Sequence, residues 1–262
     1  MRSLPQAVLI DLDGTLMDTA PDLAEAANRM RADAALAPLS QARVAAFVGK
    51  GADVLVHRAL TDRLDGRVDD ARFAAGRAAF FRHYHAVNGR NAQVFPRVPE
   101  ALAALRAAGL LLACVTNKPR EFTVPLLDRM GLVAAFDAVV AGDDVIEKKP
   151  HPALLLAACA RLQRAPAQTV MIGDSINDAL AARAAGMPVA LVQTGYNEGE
   201  SVATLAHAPA AAASAPVAAD GSPLAAQPGD APLADAILPA LFDAAQWVLQ
   251  GMPRGASMAS ST

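Results

Sequence analysis

Asp11-Leu12-Asp13-Gly14-Thr15 closes the apolar run Ala7-Val8-Leu9-Ile10, and the fold is read outward from this stretch. A continuous apolar run that ends in small and polar residues is the pattern of a strand buried on both faces of a parallel sheet. Two residues apart on a strand share one face, and a Gly-Thr pair turns the chain immediately afterwards. Asp11 and Asp13 are therefore expected together at the strand's C-terminal end, where open α/β sheets bind ligands. At 4 Å and an effective dielectric near 20, two such charges repel by about 4 kcal/mol, so a cation is expected among them. Taken alone, the run favours a ligand site but leaves a solvated Asp-Gly turn open, and the rest of the chain has to decide.

The first strand is expected over residues 7–12, and similar apolar runs predict buried strands at 110–116, 138–141, 170–173 and 189–192. Helical patterns lie between them at 100–108, 121–130, 152–162 and 176–185. Gly109, Gly131 and Gly186 follow three of these, where a left-handed helix cap favours glycine. Alternation of this kind predicts an α/β fold, a doubly wound (Rossmann-like) parallel sheet core.

Helical patterns alone occupy 21–35, 41–47, 52–60 and 69–87, which predicts an inserted all-helical cap domain. The expected division is a catalytic core of 1–18 and 91–206 plus 233–250, and a helical cap of 19–90. A flexible Ala/Pro-rich insertion is expected over 207–232 and a disordered tail over 251–262. Residues 233–249 read as one helical pattern carrying Trp247.

The 262 residues are 53% apolar and 19% charged, as in a globular protein rather than a disordered one. A formal charge of -3 with no Lys/Arg run gives no reason to expect a nucleic-acid partner. Cys114 and Cys159 sit in apolar stretches without metal-ligand spacing, which predicts buried free thiols in a reducing compartment. No signal peptide or membrane-length apolar run is visible, so the expectation is a cytoplasmic protein with no membrane partner. A monomer and a homodimer are both compatible with the sequence.

Three later segments bear on the Asp11 run. Thr116-Asn117 ends the second long strand with a hydroxyl and backbone amides, although a plain helix cap has the same residues. Lys148-Lys149-Pro150-His151-Pro152 places a lysine rigidly between turn and helix. Gly173-Asp174-Ser175-Ile176-Asn177-Asp178 sets two more carboxylates at a strand end and in the following helical turn.

In this order and spacing, Asp11-Leu12-Asp13-Gly14-Thr15, Thr116-Asn117, Lys149-Pro150 and Gly173-Asp174-Ser175-x-x-Asp178 resemble the signature of the haloacid dehalogenase superfamily. The helical insertion resembles its C1 cap, and the chain is most similar there to the bacterial phosphoglycolate phosphatases. Supporting runs are Val48-Gly49-Lys50-Gly51, Gly142-Asp143-Asp144-Val145 and Gly195-Tyr196-Asn197. The resemblance implies Mg²⁺ held by the Asp11 and Asp174 side chains and the Asp13 backbone carbonyl. It implies Asp11 as nucleophile, Asp13 as proton carrier, Thr116 and Asn117 on the phosphoryl oxygens, Lys149 beside them, and Asp178 orienting either Lys149 or a metal-bound water. The substrate it implies is a small phosphate monoester, above all 2-phosphoglycolate, with Lys50 expected to reach the carboxylate. His57, His83 and His85 receive no role.

Rival readings are a phosphatase for a sugar phosphate, nucleotide or pyrophosphate, a hexose-phosphate mutase, and a non-catalytic scaffold. Asp13 argues against a true dehalogenase, whose halide leaves unprotonated. Ala20-Pro21-Asp22-Leu23 lacks the cap-hinge histidine of such mutases.

Overall fold

The computed structural model describes residues 4–207 and 232–252. The expected insertion at 207–232 and tail at 251–262 therefore fall almost wholly outside the described residues. In chain order, β1 (Ala7–Ile10) and β2 (Met17–Asp18) precede the helices α1 (Ala20–Asp33), α2 (Gln41–Ala45), α3 (Ala52–Thr61) and α4 (Asp70–Val87). Then follow β3 (Gln93–Val94), α5 (Val98–Ala107), β4 (Leu111–Val115), α6 (Arg120–Arg129) and β5 (Ala138–Val140). The chain continues with α7 (Ala153–Leu162), β6 (Thr169–Gly173), α8 (Ile176–Ala184) and β7 (Val189–Val192), and ends with β8 (Ala236–Leu238) and α9 (Leu241–Leu249).

Six strands form one parallel sheet in the order β5-β4-β1-β6-β7-β8. The run that opened the sequence occupies its centre. Val8 and Ile10 point into one apolar layer with Leu102, Leu105 and Val248, while Ala7 and Leu9 point into the other with Leu154, Leu155 and Ala182. A strand buried on both faces needs such an unbroken apolar run, which is why β1, β4, β6 and β7 were readable. Because β1 has β4 on one side and β6 on the other, the crevice between diverging crossovers opens at its C-terminal end, directly at Asp11.

Helices α1–α4 pack around a third apolar cluster that includes Met30, Phe47, Val56, Phe80 and Tyr84. Ser40 and Asp69 start α2 and α4 by accepting hydrogen bonds from the backbone N–H groups of Arg43 and Arg72. Phe122, on α6 of the sheet layer, inserts into this helical cluster. No helix among the described residues is long and apolar enough to cross a membrane.

Two features depart from the sequence reading. The single helical pattern expected over 233–249 is a strand and then a helix: β8 adds to the sheet edge beside β7, and α9 begins only at Leu241. Pro239 between them has no N–H to donate and would break a continuous helix, while the Ala-rich spacing imitates helical periodicity. The second feature is an antiparallel pairing of Met17 with Val94 and Asp18 with Gln93, too short to leave a sequence pattern. It forms the two connections between the sheet and the inserted helices.

Asp22 fastens this junction. Its fully buried carboxylate accepts from the backbone N–H groups of Gly89 (2.8 Å), Asn91 (2.8 Å) and Ala92 (3.1 Å). Asp22→Ala should strand these donors and cost about 2–4 kcal/mol of stability, read by urea unfolding; a change under about 0.5 kcal/mol would remove the fastening role.

Candidate active site

Asp11 continues β1, with its N–H donating to the Ile172 carbonyl of β6 at 3.0 Å. Its Oδ1 accepts from the Leu12 N–H at 2.7 Å and lies 3.0 Å from Lys149 Nζ. The turn after it is closed by Leu16 N–H donating to the Leu12 carbonyl at 2.9 Å and Gly14 N–H donating to Met17 at 2.9 Å. Gly14 adopts φ +87°, and a Cβ there would stand 2.4 Å from Asp174 Oδ2. Glycine is thus required twice over, by conformation and by the approach of the acid.

Asp174 follows β6, the strand next to β1. Its Oδ1 accepts from the Thr15 hydroxyl at 2.9 Å, and its Oδ2 from the Tyr196 N–H at 3.1 Å. Carboxylate oxygens of Asp11, Asp174 and Asp178 lie within 4.8 Å of one another. Asp178 is the most committed of the three, accepting from Lys149 Nζ at 2.7 Å, the Ser175 hydroxyl at 2.7 Å and the Ser175 N–H at 3.2 Å. The expected metal set of Asp11, Asp13 and Asp174 leaves Asp178 outside, whereas in the structure its carboxylate stands in one acidic group with Asp11 and Asp174.

Lys149 is buried, and its ammonium donates to the Val115 carbonyl at 2.9 Å besides facing Asp11 and Asp178. Burial alone would lower its proton affinity, but the two carboxylates hold it above the ordinary lysine value. Asp11 shows the opposite balance. Burial pushes its carboxyl up to about 7, Lys149 pulls it down, and the charges of Asp178 and Asp13 push it up again. Asp174 is raised well above the usual range, first by burial and then by Asp11 and Asp178.

With every carboxyl ionised, Asp11, Asp174 and Asp178 face the single ammonium of Lys149, a surplus of two negative charges. A divalent cation on hard oxygen donors fits that surplus and that donor chemistry.

Asp13 faces away from this cluster. Its Oδ1 accepts from the Thr19 hydroxyl at 2.6 Å and from Lys118 Nζ at 2.9 Å. Asp11 and Asp13 line a cleft together with Thr116, Asn117 and Lys118. Its far wall comes from the inserted helices and is largely apolar, with Leu23, Leu55, Phe80 and Tyr84.

Thr116 is buried at the head of this cleft, its hydroxyl accepting from the Lys118 N–H at 3.2 Å. The Asn117 side chain is a bridge: it donates to the carbonyls of Gly49 and Lys149, both at 2.8 Å, and accepts from the Lys149 N–H at 2.9 Å. Lys50 is absent from the cleft lining, and its Nζ pairs with Glu198 at 3.0 Å, beside the Arg58–Glu198 pair. The histidines also stay away from the site, with His57 stacked on Phe73 and His83 and His85 paired to Asp33 and Glu121.

Sequence reasoning missed Lys118, Thr19, Tyr84 and Tyr196. Lys118 stood in the quoted Thr-Asn-Lys-Pro run, and Tyr196 in the Gly-Tyr-Asn run, yet neither carried a role there. The Tyr196 hydroxyl accepts from the N–H groups of Thr19 (2.8 Å) and Ala20 (3.0 Å) and donates to Asp18 at 2.6 Å. One residue thus touches Asp174 through its backbone and the junction to the helices through its ring.

Known proteins agree with this geometry. The family model described as haloacid dehalogenase-like hydrolase matches residues 5–186. A phosphoglycolate phosphatase of Nitrosospira multiformis is 48% identical over 197 residues, 75% of this chain and 87% of that one. A plasmid-encoded phosphoglycolate phosphatase of Cupriavidus necator is 53% identical over 196 residues, 74% of this chain and 84% of that one. A crystal structure described as a predicted phosphoglycolate phosphatase from Haemophilus somnus superposes with a TM-score of 0.76 at 30% identity, covering 93% of this chain and 98% of that one. The chain belongs to the haloacid dehalogenase-like hydrolases. It is an enzyme of the phosphoric monoester hydrolase class.

The raised Asp11 carboxyl has a thermodynamic consequence. An ordinary aspartate ionises near 4, whereas this one holds its proton to about 7, so ionisation between those values destabilises the metal-free fold. In the presence of EDTA, the melting temperature should fall as pH rises from about 5 through 7, and Asp11→Asn should be more stable than the parent at pH 8. Parallel melting profiles for the two proteins across that range would refute the assignment.

Proposed function

We propose that this chain is a Mg²⁺-dependent phosphatase that hydrolyses small phosphate monoesters through an aspartyl-phosphate, with 2-phosphoglycolate giving glycolate and phosphate. The observation that carries this reading is the different surroundings of two neighbouring carboxylates. Asp11 faces Lys149 and the acidic cluster, while Asp13 faces the cleft with Thr19 and Lys118. Paired acids with divergent environments take divergent roles.

Asp11 attacks phosphorus, forming an Asp11 O–P bond as the ester P–O bond breaks. Asp13 gives its proton to the departing alkoxide oxygen. In the second half, Asp13 takes a proton from water as the water oxygen attacks phosphorus and the Asp11 O–P bond breaks. Thr116 and the Asn117 main chain stabilise the phosphoryl oxygens, since the Asn117 amide is committed to Gly49 and Lys149. Lys149 keeps Asp11 available as a carboxylate, and Asp178 and the Val115 carbonyl aim the ammonium. Mg²⁺ would be held by the Asp11 and Asp174 side chains and the Asp13 carbonyl, where it supplies positive charge against the phosphoryl group.

The substrate reading rests on the named relatives and on a largely apolar cleft lined by a single cation, Lys118, among the described residues. The working compartment proposed is the cytoplasm.

Steady-state kinetics on small phosphate monoesters, 2-phosphoglycolate included, test this reading. The expected result is a kcat/KM for 2-phosphoglycolate at least about tenfold above the others, abolished by EDTA and restored by Mg²⁺. Asp11→Asn should lose about 10³-fold or more in kcat, and Asp13→Asn about 10²–10⁴-fold, as for removal of a proton carrier. Persistent turnover in Asp11→Asn would sink the nucleophile assignment.

A further inference from the structure

We propose that Lys118 and Tyr84 together form the receptor for the carboxylate of the substrate, a role that the sequence had suggested for Lys50. The inference rests on the 2-phosphoglycolate reading above and identifies which side chains enforce it.

Lys118, in the loop after β4, is 5% exposed and lines the cleft. It is the only cation among the described residues lining it. An ammonium has three donors, and its one hydrogen bond to a carboxylate is to Asp13 at 2.9 Å. Asp13 and Thr116, its neighbours in the wall, belong to the reacting end. The ammonium therefore stands one hydrogen bond from the group that protonates the leaving oxygen. In 2-phosphoglycolate a single methylene separates that oxygen from the carboxylate. A substrate whose ester oxygen lies against Asp13 brings its carboxylate to Lys118 and to little else.

Tyr84 supplies an independent observation. It lies on α4, across the cleft from the loop after β4, and is 1% exposed. Its ring lies against Lys118, with Nζ 4.8 Å from the ring centre. The hydroxyl is buried, and no partner meets full hydrogen-bond geometry with it, Lys118 being the one polar side chain near enough to interact. An unpaired buried hydroxyl is costly, and such groups in native proteins call for an explanation. A carboxylate seated between Lys118 and Tyr84 satisfies this hydroxyl and the spare ammonium donors at once. The side chains of Leu23, Val48, Leu55, Phe80 and Phe122 in the surrounding wall offer no partner for a charge, and the rest of that side is the backbone of Gly49, Gly51 and Ala52. Lys50 is held outside by Glu198, which Arg58 also grips.

Because Tyr84 belongs to the inserted helices and Lys118 to the sheet layer, only the closed arrangement completes this receptor. Selectivity is then enforced at closure, when a carboxylate-bearing ester fits and a neutral one leaves two buried polar groups unmatched.

The test compares kcat/KM for 2-phosphoglycolate with that for ethyl phosphate, which lacks the carboxylate, in the parent enzyme and in Tyr84→Phe, Lys118→Met and Lys50→Ala. Tyr84→Phe keeps the ring and removes only the unpaired hydroxyl. A purely structural role for that hydroxyl predicts no change in the ratio. The proposal predicts a fall of about tenfold or more, carried by KM for 2-phosphoglycolate. Lys118→Met should lower the ratio further, whereas loss of a prop for Asp13 would lower both substrates alike. An unchanged ratio in Tyr84→Phe, or an equal loss on both esters in Lys118→Met, overturns the proposal. A collapse of the ratio in Lys50→Ala also overturns it by returning recognition to that loop. A parent enzyme that does not favour the carboxylated ester overturns the substrate reading itself.

Discussion

The buried ammonium of Lys149 is the contact on which the site depends. Its donors go to the end of β4 through Val115, to the end of β1 through Asp11, and to the first turn of α8 through Asp178. Removing such a charge from water costs several kcal/mol, and only well-placed partners offset it. Here the partners are the ends of separate sheet elements, so the ion is satisfied only if those elements are in register. The arrangement of the strands and the ionisation of Asp11 are in this sense one constraint. The backbone of Lys149 extends it, because Asn117 holds that backbone to the Gly49 loop of the inserted helices.

A second set of bonds carries the constraint to the junction. Tyr196 receives two backbone donors at the start of α1, and its own N–H caps an oxygen of Asp174. Thr19, between these, gives its hydroxyl to Asp13. Asp22 then ties the start of α1 to the returning strand through three backbone donors. The acidic cluster, Asp13 and the inserted helices are thus connected by hydrogen bonds of ordinary length rather than by a long relay.

The legible parts of this molecule are those whose physics is local. A strand buried on both faces must be continuously apolar, so β1, β4, β6 and β7 announce themselves, and four short motifs mark where they end. β8 is hidden because Ala236-Ile237-Leu238 is too short for a period and lies in Ala-rich surroundings. The β2–β3 pair has only two residues on each side. Lys118 was in view, but its meaning depends on Asp13 and Tyr84, which approach only through the tertiary fold. Lys50 is the converse: a cation between glycines looked free, and Glu198 from a distant loop takes it. Residue identity was sufficient wherever chemistry follows from spacing along the chain, and insufficient wherever it follows from spacing across it.

Phe122 sits on the sheet layer, yet its ring is packed among Phe81, Tyr84 and His85 of α4 at centroid distances of 5.0, 4.8 and 4.7 Å. Swinging the helices fully away would wet that ring, at about 1.5–3 kcal/mol for a side chain of this size. Opening of the helices over the cleft is thus opposed by the burial of one aromatic ring that lies outside the acidic cluster.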